Sequence, residues 1–396
     1  MKGFRDFYPE EKRVQNWIFS KWREVAEKYG YSEIDSPILE AIEIYNKSGD
    51  EIPEQIYSFK DKSGKTLAIR PETTPSIARM IRAKKDLKLP VKWYSISRCL
   101  RYERPQQGRA REFFQFNLDC IGSKNLMTDA EVIASSVELM KEFGLSKKDF
   151  FVRISNRRLM EDLLLNLGIS KKNLKDVYRI LDKICKYTED EIKKDLKSKG
   201  VSENEINSLF KLLKVKDLSK IKIESSGLQE LRELFKLLKD YNVLGYCRLD
   251  LSIMRGFDYY TGTVFEVFDK KGELRAIAGG GRYDDLAGIP GVGYAMGDVV
   301  IELFLKEKKK IPEIKKEIDY FIAPVNEKMN KKAIKIANKL REEYNVEIEV
   351  LGRNLGKQLN YANSINAKNL VIVGEKDKDR VTIRDMKTGK EKKVKI

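Results

Sequence analysis

Side chains able to do chemistry are densest in residues 98–119, RCLRYERPQQGRAREFFQFNLD. Two strand-like runs flank the turn-like RPQQGRA, and side chains on a strand alternate between its faces. On the returning run Arg111, Phe113, Gln115, Asn117 and Asp119 share one face, and Glu112, Phe114, Phe116, Leu118 and Cys120 share the other. The first face is polar with one aromatic ring; the second is largely apolar and core-like. Arg101 and Glu103 end the opposing run beside the polar face. This face reads as a pocket floor on which guanidiniums hold phosphate oxygens and Phe113 supports a flat base. A half-buried sheet could carry the same alternation for solubility alone.

Two glycine-rich segments accompany it. RGFDYYTGTVFE (255–266) groups an arginine, an aspartate and two tyrosines around Gly256 and Gly262, and AGGGRYDDL (278–286) lets backbone approach a ligand beside Arg282 and Tyr283. Neither is a P-loop or a G-x-G-x-x-G dinucleotide turn. Each alone reads as readily as a structural turn or β-bulge as it does as part of a site, and their company with the arginine hairpin favours a binding site.

The chemistry open to this site is bounded by a missing residue type. The chain of 396 residues contains no histidine. That excludes Ser-His-Asp and Cys-His nucleophile systems, histidine general bases and His-containing zinc sites. Carboxylates, Lys and Arg, tyrosines, backbone amides and the substrate's own groups remain. Cys99, Cys120, Cys185 and Cys247 form no C-x-x-C pair and read as buried thiols in a reducing compartment. The amino-terminal residues lack the apolar run of a signal peptide, and no stretch is long and apolar enough to span a membrane, so a cytoplasmic protein is expected. A formal net charge of +17 suits a polyanionic partner, although lysine-rich chains are often simply well solvated.

The elements that must position these residues follow from periodicity. Val14, Trp17, Ile18, Trp22, Val25, Ala26 and Tyr29 recur at helical spacing before a Gly30 stop. YSEIDSPILE is extended around Pro37, residues 91–122 form a strand pair, strand character returns at 248–268 and 274–279, and an apolar helix follows Gly297. Hairpin-joined strands predict an α+β fold, an antiparallel sheet with helices against it. Residues 156–242, with Leu228, Leu231, Leu234, Phe235 and Leu238 on one helix, read as a helical insertion within a core of 1–155 and 243–311. Past Lys308–Lys310 and Pro312, strand YFIAPV, helix 331–343, strand VEIEV, helix 355–366 and strand LVIVG predict a small α/β domain over 318–396. It holds eighteen basic against eleven acidic residues.

On these residues the chain resembles class II aminoacyl-tRNA synthetases, and among them the histidyl-tRNA synthetase family. SPILE resembles the family's first motif, part of its dimer interface; RCLRYERPQQGRAREFFQFNLD resembles the second, and RPETTP (70–75) a substrate-binding turn. MRGFDYYTGTVFE and AGGGRYDDL resemble segments specific to the histidine enzyme, and the terminal α/β stretch with KQLNYANSINAKNLVIVGE resembles an anticodon-binding domain.

The resemblance implies roles. Arg101 would hold the ATP α-phosphate, Phe113 would stack on adenine, and Glu103, Arg109 and Arg111 would complete the nucleotide site. Glu72, Thr74 and Gln115 would receive the amino acid's ammonium and carboxylate. Arg255 would bridge carboxylate and α-phosphate as a second catalytic arginine. Asp119, Tyr259, Tyr260 and Tyr283 would surround the imidazole. Mg²⁺ arriving with ATP is implied, without zinc or an organic cofactor, together with histidine tRNA as partner and a homodimeric state. One departure stands out. The family's third motif ends Gly-x-Glu-Arg, its arginine over the adenine and near the γ-phosphate, whereas GYAMGDVVIELFL aligns Asp298, Val299 and Val300 with its last three positions. That departure leaves open an alternative, a non-catalytic paralogue that senses histidine and regulates an ATP phosphoribosyltransferase.

Overall fold

A computed structural model describes residues 1–45, 54–84, 86–182, 184, 187–253, 260–286, 288–375 and 380–395. They form two compact units, residues 1–311 and 312–396.

In the first unit the apolar stripe near the amino terminus forms α1 (Pro9–Lys28), with Pro9 in the first turn, where its missing N–H costs nothing. Ile18, Trp22, Val25 and Ala26 are buried, Val14, Trp17 and Tyr29 partly so. The chain then lays down β1 (Ser32–Glu33), β2 (Leu39–Ala41), β3 (Ser58–Lys60) and β4 (Thr66–Ile69), followed by α2 (Thr74–Ala83). The central hairpin is β5 (Val91–Leu100) with β6 (Glu112–Ile121), and α3 (Leu126–Glu142) returns across the sheet. Next come β7 (Phe150–Asn156) and five helices, α4 (Arg157–Asn166), α5 (Leu174–Leu181), α6 (Glu189–Ser198), α7 (Glu203–Leu213) and α8 (Ser226–Asp240). The unit closes with β8 (Cys247–Leu249), β9 (Thr263–Asp269), β10 (Ala278–Leu286), β11 (Ile289–Gly297) and α9 (Asp298–Glu307).

Eight strands build one sheet in the order β1-β5-β6-β11-β10-β9-β7-β8. Every interior pairing is antiparallel, and only the edge pairs β1–β5 and β7–β8 are parallel. β2, β4 and β3 make a separate three-stranded antiparallel sheet. The apolar face of β6 points into the main core, where Phe116 and Leu118 are fully buried and Trp22 stacks on the Phe116 ring at 5.5 Å. Burying a ring of that size contributes about 1.5–3 kcal/mol. Helices α4 and α8 bury Leu159, Leu163, Leu228, Leu231, Leu234 and Leu238 in the same apolar cluster as Phe150 and Phe265 of the sheet. The helical stretch is therefore packed onto the sheet within the first unit.

Three expectations for the sheet need correction. Of the described residues in 248–268, only the ends belong to strands, β8 (Cys247–Leu249) and β9 (Thr263–Asp269), since 250–253 and 260–262 are not strand. The run 274–279 becomes strand only from Ala278, because the Asp269 carboxylate accepts from the backbone N–H groups of Glu273 and Leu274 and holds 270–274 in a turn. AGGGRYDDL is a central strand whose register shifts between Tyr283 and Leu286.

The second unit is a five-stranded sheet ordered β13-β12-β14-β15-β16, built from β12 (Ile318–Pro324), β13 (Val346–Ile348), β14 (Ala367–Val373), β15 (Arg380–Asp385) and β16 (Glu391–Lys395). β12 pairs in parallel with both β13 and β14, and the last two strands add antiparallel. Helix α10 (Asn330–Leu340) and helix α11 (Leu355–Ser364) each join a different apolar cluster. Alternation along β12 explains this: Ile322 belongs to the α10 cluster, Phe321 and Ala323 to the α11 cluster.

Candidate active site

The polar face of β6 floors a cavity of about 260 Å³ in the first unit. Phe113, Gln115, Asn117 and Asp119 line it, as the alternation of β6 requires. Arg101, Glu72, Thr74, Tyr260 and Tyr283 join them from four other segments. This face is buried rather than half-solvated: Asn117 and Asp119 are 2% and 3% exposed. A pleat kept polar only for solubility would face water, so burial favours a binding role for these side chains.

One end of the cavity is built around Asp119. The Tyr283 hydroxyl donates to Asp119 Oδ1 at 2.9 Å, and Asp119 Oδ2 is buried without a hydrogen-bond partner among the described residues. Burial foremost, reinforced by the nearby Glu72 carboxylate and opposed by the tyrosine hydroxyl, pushes the Asp119 carboxyl up to about 7. The Tyr283 hydroxyl rises well above its ordinary value, through burial first and then the adjacent carboxylate. β11 runs between these partners, pairing Gly293 with Asp119 and Gly291 with Tyr283. A Cβ at Gly293 would sit 2.2 Å from Asp119 Oδ1, and one at Gly291 would sit 2.4 Å from the Tyr283 ring. Bare backbone at both positions makes the room in which the carboxylate and phenol meet. Gly281 does the same for Tyr260, whose ring would be 2.8 Å from an added Cβ.

The other end is built around Arg101 and Phe113. The Arg101 guanidinium lies 5.2 Å from the centre of the Phe113 ring, and its Nε donates to the Pro71 carbonyl at 2.9 Å. That bond ties the arginine to the RPETTP turn, which also carries Glu72 and leads into α2 at Thr74. Arg70 in turn donates to the Ser36 carbonyl at 2.7 Å and to the Arg98 carbonyl at 2.9 Å, so SPILE, the turn and β5 are joined through one buried guanidinium. Gln115 donates to Asn117 Oδ1 at 3.0 Å, fixing two adjacent floor side chains.

Not every expected residue meets at the cavity. Glu103, Arg109 and Arg111 lie in the loop before β6 and do not line it. Arg109 pairs with Glu103 at 2.9 Å, while Arg111 donates to the Glu103 carbonyl and lies 4.5 Å over the Tyr102 ring. Arg111 precedes the first residue of β6, so the alternation that placed it beside Phe113 does not extend to it. Arg282 is turned away into the structure, held by Asp129 and the Ser123 carbonyl. Arg255 and Tyr259 lie outside the described residues, as does Cys185. Among the described residues Cys99 and Cys120 are buried free thiols pushed up to about 11 by burial, and Cys247 is a partly buried one.

Sequence reasoning missed three features. Arg275, in no run of recognisable chemistry, and Glu266, the last residue of RGFDYYTGTVFE, both line the cavity. The third is an anchor beneath the nucleotide-like end. Asp298, the first residue of α9, accepts from Arg5 Nη2 at 2.7 Å and from the Phe114 backbone N–H at 3.0 Å. It therefore fixes the strand backbone adjoining Phe113, and a carboxylate in the first turn of a helix is electrostatically favoured. Among the described residues no cluster of three or more acidic or cysteine side chains is arranged to hold a metal ion.

The family model described as histidyl-tRNA synthetase matches residues 3–297, and that of an anticodon binding domain matches 319–396. The chain is similar to the chloroplastic/mitochondrial histidine–tRNA ligase of Arabidopsis thaliana, at 38% identity over 410 residues covering all of this chain and 84% of the relative. It is also similar in structure to a histidyl-tRNA synthetase from Nostoc sp. PCC 7120, with a TM-score of 0.81, 26% identity, and coverage of 100% of this chain and 96% of that one. A third likeness is to a Bacillus halodurans protein described as an ATP phosphoribosyltransferase regulatory subunit/histidyl-tRNA synthetase, with a TM-score of 0.78, 25% identity, and coverage of 94% and 97%. A family model spanning most of the chain and a relative aligned over its whole length lead to one assignment: the chain belongs to the histidyl-tRNA synthetase family.

Proposed function

We propose that the two ends of this cavity are the histidine and ATP subsites of an enzyme that activates histidine and charges tRNA with it. The observation that carries the reading is Asp119: a buried carboxylate with one oxygen on Tyr283 and the other unpartnered among the described residues, in a cavity that also holds Arg101 and Phe113. An imidazole N–H supplies the donor that Asp119 Oδ2 lacks, and the Tyr260 and Tyr283 rings border the space for it. A ligand of the same shape without that donor leaves the carboxylate buried and unpaired, which is the physical origin of selectivity. Glu72, Thr74 and Gln115, between the two ends, receive the ammonium and carboxylate. Arg101 holds the α-phosphate, and Phe113 stacks on adenine. Glu103, Arg109 and Arg111 belong to the loop above the floor and border the nucleotide end from there.

The chemistry needs no histidine. The substrate carboxylate is already ionised; its oxygen attacks the α-phosphorus, the bond to the leaving pyrophosphate breaks, and histidyl-adenylate forms. The protein's task is alignment and stabilisation of charge growing on the phosphoryl oxygens, which guanidiniums perform. A ribose hydroxyl at the tRNA 3′ end then attacks the carbonyl carbon, AMP departs, and a phosphate oxygen of the adenylate accepts the hydroxyl proton. A Mg²⁺ arriving on the nucleotide would neutralise phosphate charge.

The basic second unit serves the tRNA. Ile38, Leu39 and Phe59, on or beside the three-stranded sheet, are all at least 40% exposed, and a second copy of this chain would cover them. A cytoplasmic location fits the substrates and the free thiols. Histidine-dependent exchange of pyrophosphate into ATP, run across the amino acids, tests the reading. Exchange with histidine alone is expected; its absence in the purified protein would leave only the regulatory paralogue. Light scattering at defined concentration tests the dimer.

A further inference from the structure

Position 300 lines the cavity as valine, its Cγ2 beside Gly108 of the hairpin loop, and it offers the nucleotide no charge. The same cavity is lined by an arginine outside the three motifs. Arg275 lies in the segment entering β10, where Ala278 pairs with Met296 of β11. That segment therefore runs beside the chain leaving β11 for α9, and Arg275 reaches the cavity that Val300 also borders.

We infer that Arg275 grips the outer phosphates of the bound nucleotide, supplying the guanidinium that position 300 lacks. The inference rests on the ATP reading of this site. Three observations carry it. Arg275 is solvent-exposed and, among the described residues, has neither an ion-pair nor a hydrogen-bond partner. The other arginines near this end are engaged: Arg101 with the Pro71 carbonyl, Arg109 with Glu103, Arg111 with the Glu103 carbonyl and Tyr102. Finally, Glu72, Asp119 and Glu266 all line the cavity, so a polyphosphate entering it requires added positive charge where its outer phosphates lie. A guanidinium at the rim meets that need with a forked donor set, and among the described residues its move onto the phosphates breaks no ion pair or hydrogen bond.

The test is pyrophosphate exchange by Arg275→Ala in the full-length chain, with ATP varied at saturating histidine and the reverse. The KM for ATP should rise roughly five- to thirtyfold, as expected for loss of one charge-assisted contact. The KM for histidine and the thermal midpoint should stay essentially unchanged. Arg275→Lys should fall between the two, keeping charge without the fork. Inhibition by AMP, which lacks the outer phosphates, should weaken far less than ATP binding. An unchanged KM for ATP overturns the inference, as does an equal loss for AMP and ATP. Failure of the underlying function reading looks different: the unaltered protein would then show no histidine-dependent exchange.

Discussion

Tyr283 on β10 donates to Asp119 on β6 at 2.9 Å across an intervening strand, and it can do so because Gly291 and Gly293 occupy the β11 positions between them. The pair is buried, and the Asp119 carboxyl rises to about 7 from an ordinary value near 3.8. The site thus holds its carboxylate at an energetic cost that a ligand donor relieves.

That cost has a sign. A folded-state pKa raised above the unfolded value means the folded chain binds the proton more readily. The group's contribution is full below pH 4 and is lost as pH rises through 7. Asp119→Asn should therefore raise the thermal midpoint at pH 8 more than at pH 5, while abolishing histidine activation. Equal midpoint changes at both pH values, by calorimetry, would refute the burial argument.

Tyr283→Phe removes one hydroxyl and keeps the ring. A hydrogen bond to a charged group is worth about 1.5–3 kcal/mol, so the KM for histidine should rise roughly ten- to a hundredfold. The KM for ATP should change little, because Phe113 and Arg101 are untouched. Steady-state exchange kinetics separate the two.

Gly293→Ala should harm both fold and site. Its Cβ would lie 2.2 Å from Asp119 Oδ1 and 2.6 Å from the Leu118 carbonyl, and the latter is backbone that cannot rotate away. Overpacking of this kind costs about 1–3 kcal/mol. Denaturant unfolding should show that loss, with histidine binding reduced more than nucleotide binding.

Asp298→Ala deprives Arg5 and the Phe114 N–H of their acceptor at once. A loss of about 1.5–3 kcal/mol in unfolding free energy is expected. The KM for ATP should rise as well, because the strand carrying Phe113 is no longer tied to α9. Asp298→Asn, which retains one acceptor oxygen, should recover part of both.

Removal of residues 318–396 should leave pyrophosphate exchange measurable and cut tRNA charging steeply. The first unit has its own core, and the described residues lining the cavity all lie within it. Aminoacylation assays with the shortened chain check this; undiminished charging would separate the basic second unit from tRNA.

Local rules made much of this protein legible in its sequence. Period-two alternation along 112–121 separated floor from core residue by residue, because a strand's faces follow from backbone geometry alone. The helical stripe of α1, the strand–helix order of the second unit and the motif series marking the family were likewise present in one dimension. The missing histidine excluded whole mechanisms before any fold was known. What only the tertiary structure decided depends on contacts between distant segments. Three glycines at 279–281 are compatible with a turn until pairing with β9 and β11 makes them the centre of a sheet. Arg111 and Arg101 look equivalent in sequence, yet only Arg101 lines the cavity, held by a carbonyl thirty residues away. Asp298 at a departing motif position becomes an anchor through Arg5, 293 residues distant. Arg275 carries no signal at all until strand pairing brings it to the cavity that Val300 borders. Alternation and helical spacing report which way a side chain points; which groups it meets is set by sheet order and register, and those arise from the packing of the whole unit.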